Sequence, residues 1–180
     1  EDIATLSIGS PQSTGPNPTD VLAMNLDSDL DVDVVVACYG NSLTDGVIDF
    51  FEAVPGVVGG FSGAGSLLSP GNPKNIDPGD VNNDKDFQIF VSFGSGNSVG
   101  KAEGNVPLDG LVWEYTSVIN VAIGPSKLVT GDLNGDAIDD IVVACPESDV
   151  ICILKGLTNG SMSQPLLLYV GDTPTSLALL

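Results

Sequence analysis

Short apolar runs bounded by clusters of Gly, Pro, Asn and Asp recur along the chain, and no stretch keeps the 3.6-residue period of a helix. Two runs, Val34-Val35-Val36-Ala37 and Ile141-Val142-Val143-Ala144, are apolar without alternation, as expected of a strand buried on both faces. Reading turns at Asp45-Gly46, Gly59-Gly60, Asp109-Gly110 and Thr158–Ser161 divides the chain into short strands. The first set is Asp20–Met24, Asp33–Cys38, Val47–Val54 and Phe61–Leu68. The second is Asn75–Gly79, Phe87–Phe93, a strand within Ser98–Val106, and Leu111–Val121. The third is Ser126–Thr130, Asp140–Cys145, Val150–Leu154 and Pro165–Val170. Ile3–Ile8 reads as the last strand of a preceding set.

The sets are repeats of one another. Asn25-Leu-Asp-Ser-Asp-Leu-Asp-Val-Asp-Val-Val-Val-Ala-Cys38 matches Asp132-Leu-Asn-Gly-Asp-Ala-Ile-Asp-Asp-Ile-Val-Val-Ala-Cys145 in its oxygen-bearing positions, its following strand and its terminal cysteine. Asp80-Val-Asn-Asn-Asp-Lys-Asp-Phe-Gln-Ile-Phe-Val-Ser-Phe93 is a third copy, so the copies begin 55 and 52 residues apart. Pro18, Pro73 and Pro125 each stand seven residues ahead of a copy. Pro174 has the same context and places a fourth copy one residue past Leu180. The reading is a single segment, 1–180, with repeats at 18–72, 73–124 and 125–173; residues 1–17 and 174–180 belong to neighbouring units. Four-strand units repeating at this period predict an all-β fold of β-propeller blades, three four-stranded antiparallel repeats with partial flanking strands. A solenoid is the competing architecture, but its repeats carry fewer strands.

Composition narrows the partners. The 42% hydrophobic content predicts a folded chain despite a net charge of −19. Twenty-four acidic residues face five basic ones, with no histidine, so nucleic acid and anionic membrane surfaces are poor partners, and no nucleic acid is expected. The basic residues are all lysine, which removes both the near-neutral acid–base group and the bidentate anion clamp of many enzymes. No apolar run is long enough for a transmembrane helix, so no membrane insertion is expected. Glu1-Asp2 opens without the basic and apolar regions of a signal peptide, as in a processed chain or an excised fragment.

Carboxylates this dense in a loop repel unless a cation sits among them, and oxygen at every second residue is how a tight loop meets a hard divalent ion. The Asp-x-Asn-x-Asp-x-x-x-Asp pattern followed by Ile-Val-Val-Ala resembles the FG-GAP/VCBS repeat of the integrin α-subunit propeller and of many bacterial surface proteins. The resemblance extends over nearly the whole chain. It implies a calcium loop between the first and second strands of each blade, with side-chain ligands at positions 1, 3, 5 and 9 and a carbonyl at position 7. Carried over, the third loop offers Asp132, Asn134, Asp136, Asp140 and the carbonyl of Ile138. The first offers Asn25, Asp27, Asp29, Asp33 and the carbonyl of Asp31. The second offers Asp80, Asn82, Asp84 and the carbonyl of Asp86, but Gln88 replaces the last carboxylate. Two calcium sites are therefore expected, with the second loop weaker, water-assisted or empty. Leu30, Lys85 and Ala137 stand at position 6, where the family has glycine. An EF-hand is excluded, because Val36, Val91 and Val143 occupy position 12, where that loop needs a bidentate glutamate.

Other candidates for chemistry are sparse. Glu114 and Glu147 lack a partner at acid–base spacing and read as solvated. Trp113 and Tyr115 read as packing residues, with sugar stacking as the alternative. Cys145 and Cys152 flank a short turn and are either a disulfide or two buried thiols, with Cys38 left over. Asn159-Gly160-Ser161 is a glycosylation sequon on a turn. The resulting expectation is a non-enzymatic, calcium-stabilised propeller segment of an extracellular or cell-surface protein, serving adhesion, scaffolding or recognition of a protein or glycan ligand. The alternatives are the propeller portion of a polysaccharide-degrading, lyase-like enzyme and a carbohydrate-binding module. Three blades do not close a ring. Further blades of a longer chain, or other copies joined through Ile3–Ile8 and Ser176–Leu180, are the expected structural partners.

Overall fold

The computed structural model describes residues 12–27, 29–42, 45–105 and 112–179. Its twelve strands are β1 (Pro18–Met24), β2 (Asp33–Cys38), β3 (Val47–Ala53), β4 (Phe61–Leu68), β5 (Pro73–Gly79), β6 (Gln88–Phe93), β7 (Ser98–Asn105), β8 (Val112–Asn120), β9 (Leu128–Gly131), β10 (Asp140–Cys145), β11 (Val150–Leu154) and β12 (Leu166–Tyr169). They form three four-stranded antiparallel sheets, each a meander in chain order: β1 to β4, β5 to β8, and β9 to β12. The fold is all-β, and the single helical turn among the described residues is a 3-10 turn at Pro146–Ser148. That turn is the expected Cys145–Cys152 connection, closed by Asp149 in the left-handed region. The expected Ile3–Ile8 strand lies outside the described residues. Ser176–Leu179 carries no ladder of its own, and Leu180 is not described.

The sheets stack face to face. Sheet 2 (β5–β8) lies between the other two, with β5 packed on β1 on one side and on β9 on the other. The row does not close into a ring. This stacking explains the apolar run of β6, which meets a sheet on each face. In β6, Ile89, Val91 and Phe93 join Val35, Ala37, Ile48 and Phe50 of sheet 1 in one core. Phe90, from the opposite face of the same strand, joins Leu128, Ile141, Val143 and Leu154 of sheet 3 in another. Every residue of β6 and of β10 is buried. Each such apolar side chain contributes roughly 1.5–3 kcal/mol relative to exposure.

Aromatic pairs and buried polar bonds key the sheets together. Trp113 of β8 stacks on Phe50 of β3, centroids 5.0 Å apart, and Tyr115 meets the Phe93 ring edge-on. These two residues pack the seam between sheets 1 and 2. Along the first strands, Asp20 of β1 accepts hydrogen bonds from the Asn75 side-chain amide and from the Ile76 N–H of β5. Asn75 in turn accepts the Leu128 N–H of β9 at 2.7 Å through Oδ1. Asp77 accepts both the N–H and the hydroxyl of Thr130 at 2.9 Å. Buried donors and acceptors left unmade would cost about 1–3 kcal/mol each, so this chain fixes how one sheet registers on the next.

Candidate functional site

The three acidic loops join the first strand to the second in each sheet and share one construction. In the first loop, alternate side chains catch the backbone two residues on: Asp27 N–H donates to Asn25 Oδ1, Asp29 N–H to Asp27 Oδ1 at 3.0 Å, and Asp31 N–H to Asp29 Oδ1 at 2.9 Å. Short Asn and Asp side chains favour such turns because they reach their own backbone. In the third loop, Asp132 Oδ1 accepts the N–H groups of Asn134, Gly135 and Asp136, and its Oδ2 accepts that of Ala137 at 2.8 Å. Asp136 Oδ1 accepts the Ile138 N–H at 3.0 Å. In the second loop, Asp80 accepts from Asn82, Asp84 and Lys85, and Asp84 from Asp86.

The missing glycines do not change the path of the chain. Leu30, Lys85 and Ala137 take φ values of 77°, 73° and 66°, so position 6 is left-handed in all three loops without glycine. Left-handed backbone is costly for a residue with a Cβ, on the order of 1–2 kcal/mol, and the surrounding side chain-to-backbone bonds hold it there.

Position 9 is the anchor. Asp33, Gln88 and Asp140 are all buried, and each accepts the N–H of the second loop residue: Leu26 at 2.7 Å, Val81 at 3.1 Å and Leu133 at 3.3 Å. The other carboxylate oxygen of Asp33 accepts the N–H of Ala53, the last residue of β3, at 2.8 Å, and that of Asp140 the N–H of Gly156, two residues past β11, at 2.9 Å. Gln88 instead turns its Nε2 back into its own loop and donates to the Asp86 carbonyl at 2.7 Å.

Two further acidic residues belong to this region, and neither stands out in the repeat pattern. Asp139 clamps the third loop onto the second: its carboxylate accepts the Asp80 N–H at 2.8 Å, and its own N–H donates to the Asp80 carbonyl at 3.0 Å. Glu52, beside Ala53, has its pKa raised by burial first and then by the charges of Asp27, Asp33 and Asp29. Glu52 thus adds a fifth carboxylate to the four of the first loop, which begins with Asn25. A side chain on the neighbouring strand is invisible to loop spacing, which is why sequence reading passes over it. Asp132 is shifted the other way. Backbone N–H bonds, that of Ala137 foremost, hold its pKa below the ordinary value and favour the anion.

The side chains of the first and third loops offer a hard cation oxygen at alternate positions, the donor chemistry that calcium takes. Among the described residues, no group of three or more His, Cys, Asp and Glu side chains stands in a metal-holding arrangement, the loop oxygens being turned onto backbone amides. A hollow of about 400 Å³ separates the first loop from the second, lined by Leu26, Leu30, Phe87 and Trp113 among others.

No protein-family model matches the chain, and no curated protein matches it. Among solved structures, a functionally unknown protein from Desulfotomaculum acetoxidans DSM 771 is similar, with a TM-score of 0.64 and 16% identity over 91% of this chain. At that identity the likeness concerns the fold alone, and the chain spans only 45% of that protein's length. BBS1N, solved in complex with ARL6DN and soaked with lead, aligns over 89% of this chain and 59% of its own, at 14% identity and a TM-score of 0.38; this has no bearing on the fold.

Proposed function

We propose that the chain is a run of β-propeller blades of the FG-GAP/VCBS type, stabilised by calcium in the Asn25–Asp33 and Asp132–Asp140 loops. The observation that carries this reading is the common loop construction: alternate oxygens on a tight left-handed path, ending in a buried side chain that ties the loop to its sheet. Bound in these loops, calcium supplies fixed positive charge that offsets the mutual repulsion of the aspartates. The chain's own residues do the positioning. Asp33 links Leu26 to Ala53 and Asp140 links Leu133 to Gly156, so ordering of a loop is passed to two strands of its sheet.

The role that follows is structural: a rigid stack of sheets presenting its loops in an extracellular or cell-surface setting, for adhesion, assembly or recognition of a protein or glycan. Calcium at extracellular concentration and a net charge of −19 are consistent with that setting. Further blades, from the same chain or from another copy, would complete the ring.

Equilibrium calcium binding tests the reading. Two ions per chain are expected, falling to one in Asp136→Ala with the far-ultraviolet dichroism unchanged. A chain that takes up no calcium at about 1 mM, the range of extracellular modules, contradicts it.

A further inference from the structure

We infer that the Asp80–Gln88 loop is closed by a side-chain amide in place of a cation, and that it keeps its shape with no metal at all. The inference rests on the calcium reading only for what it says of the other two loops. Gln88 is 4% exposed, so both ends of its amide need partners. Both find them inside the loop. Oε1 accepts the Val81 N–H at 3.1 Å, and Nε2 donates to the Asp86 carbonyl at 2.7 Å. The two bonds fix the amide's orientation, because only oxygen can accept from an N–H and only nitrogen can donate to a carbonyl. The bridge joins loop positions 2 and 7, drawing together the two ends of the turn.

The same position makes the contrast within one chain. Asp33 and Asp140 each bind the corresponding N–H, at Leu26 and Leu133, but spend their second oxygen outside the loop, at Ala53 in β3 and at Gly156 just past β11. Nothing comparable to the Gln88 bridge reaches the position-7 carbonyl from Asp33 or Asp140, which are acceptors only when ionised. In the second loop that carbonyl faces an amide donor. The donor's positive hydrogen occupies the oxygen a cation would seek, and it adds no negative charge to hold one. The loop also has Lys85 at position 6, where its N–H is held by Asp80 Oδ2 at 3.0 Å. Asn82 Nδ2 donates to Asp84 Oδ2 at 2.6 Å, a bond the third loop matches with Asn134 Nδ2 on Asp140 Oδ2 at 3.2 Å, so the amide at position 9 is what sets the second loop apart.

The closed loop also serves as a fixed point for its neighbour. Asp139 takes hold of Asp80 by two hydrogen bonds, so the third loop is docked on a loop whose shape does not depend on ion concentration.

Residue-resolved amide exchange on the whole chain, with calcium and with a chelator, tests the inference. The Val81 amide is expected to stay equally protected in both, whereas residues 25–33 and 132–140 exchange faster once calcium is removed. In Gln88→Ala, Val81 loses protection whether or not calcium is present. In Gln88→Asp the amide donor is replaced by a carboxylate, and native mass spectrometry reads three calcium ions per chain in place of two. If chelation strips protection from Val81 in the wild type, or if Gln88→Ala leaves it protected, the amide closure is wrong. If none of the three loops responds to calcium while Val81 stays protected, the closure stands and the calcium reading of the other two loops falls.

Discussion

Cys152 stands in sheet 3 where Asp49 stands in sheet 1, and each accepts a backbone N–H from the linker that enters its sheet. Cys152 Sγ accepts the Ala122 N–H at 3.4 Å, and Asp49 Oδ2 the Gly15 N–H at 2.6 Å. Gly15 and Ala122 both lie three residues before the proline that opens a repeat. Opposite them, Cys38 Sγ lies 3.7 Å from Asp49, and Cys145 Sγ lies 3.7 Å from Cys152. All three cysteines are free thiols and fully buried, which settles the choice left open by the Cys145–Cys152 spacing. Burial first, and then the charge of Asp49, push the Cys38 thiol up from its ordinary value and away from the reactive thiolate. An aromatic disulfide reagent is therefore expected to titrate no thiol in the folded chain and three after unfolding; rapid native labelling of any one would contradict the buried seam.

In sheet 2 the same position has lost both partners at once. Pro70 has no N–H to give and Gly100 has no side chain to receive one. The space is filled by Phe93, whose ring would stand 2.7 Å from a Cβ at Gly100. Gly100→Ala should therefore overpack the seam and destabilise the chain by about 1–3 kcal/mol in urea unfolding. A neutral result would mean that the Phe93 and Tyr115 rings can move aside.

Asn75 is the middle link of the first-strand chain, bonded to Asp20 on one side and Leu128 on the other. Asn75→Ala leaves the buried Leu128 N–H unsatisfied and takes one donor from the half-buried Asp20 carboxylate, an expected loss of about 1–3 kcal/mol. If the sheets are held by apolar contact alone, the loss will be no larger than that of an exposed substitution.

Glu52 carries a sign that calcium should reverse. Its folded-state pKa is raised, so the ionised form opposes folding. That opposition is absent below about pH 4, where the carboxyl is protonated in both states, and is fully present once the pH exceeds the raised value. In chelator at neutral pH, Glu52→Gln is expected to raise the melting temperature slightly, within the roughly 0.5 kcal/mol typical of surface changes. The gain should vanish in acid. With calcium present the variant should bind more weakly than the wild type, and equal affinity would remove Glu52 from the site's electrostatics.

The strands were readable because stacking leaves a mark in the residues. β6 is covered by a sheet on each face; the runs at Val34–Ala37 and Ile141–Ala144 lie in the outer sheets and turn only one face, Val35 with Ala37 and Ile141 with Val143, onto the central sheet. Strand ends moved by a residue or two where a proline or a loop residue joined the ladder, as at Pro18 and Pro73, or failed to, as at Phe87 and Ser126. The loop positions were legible from spacing, since position 9 is buried in all three. What the sequence hid depends on packing between sheets. Nothing in the spacing marks Asp20, Asn75 and Asp77 as couplers, or Glu52 and Asp139 as neighbours of the loops. Gln88 read as a lost ligand, whereas it is a closing bond, because a linear pattern shows which group is missing and not where its replacement points.

Thermal melting of the whole chain with calcium and with a chelator bears most directly on the claim that metal in two loops steadies the sheets. At a hundred-fold excess over the dissociation constant each site contributes about 2.7 kcal/mol, so saturating both should raise the melting temperature by on the order of 10 °C. A melting temperature that is the same with calcium and with chelator would contradict the account.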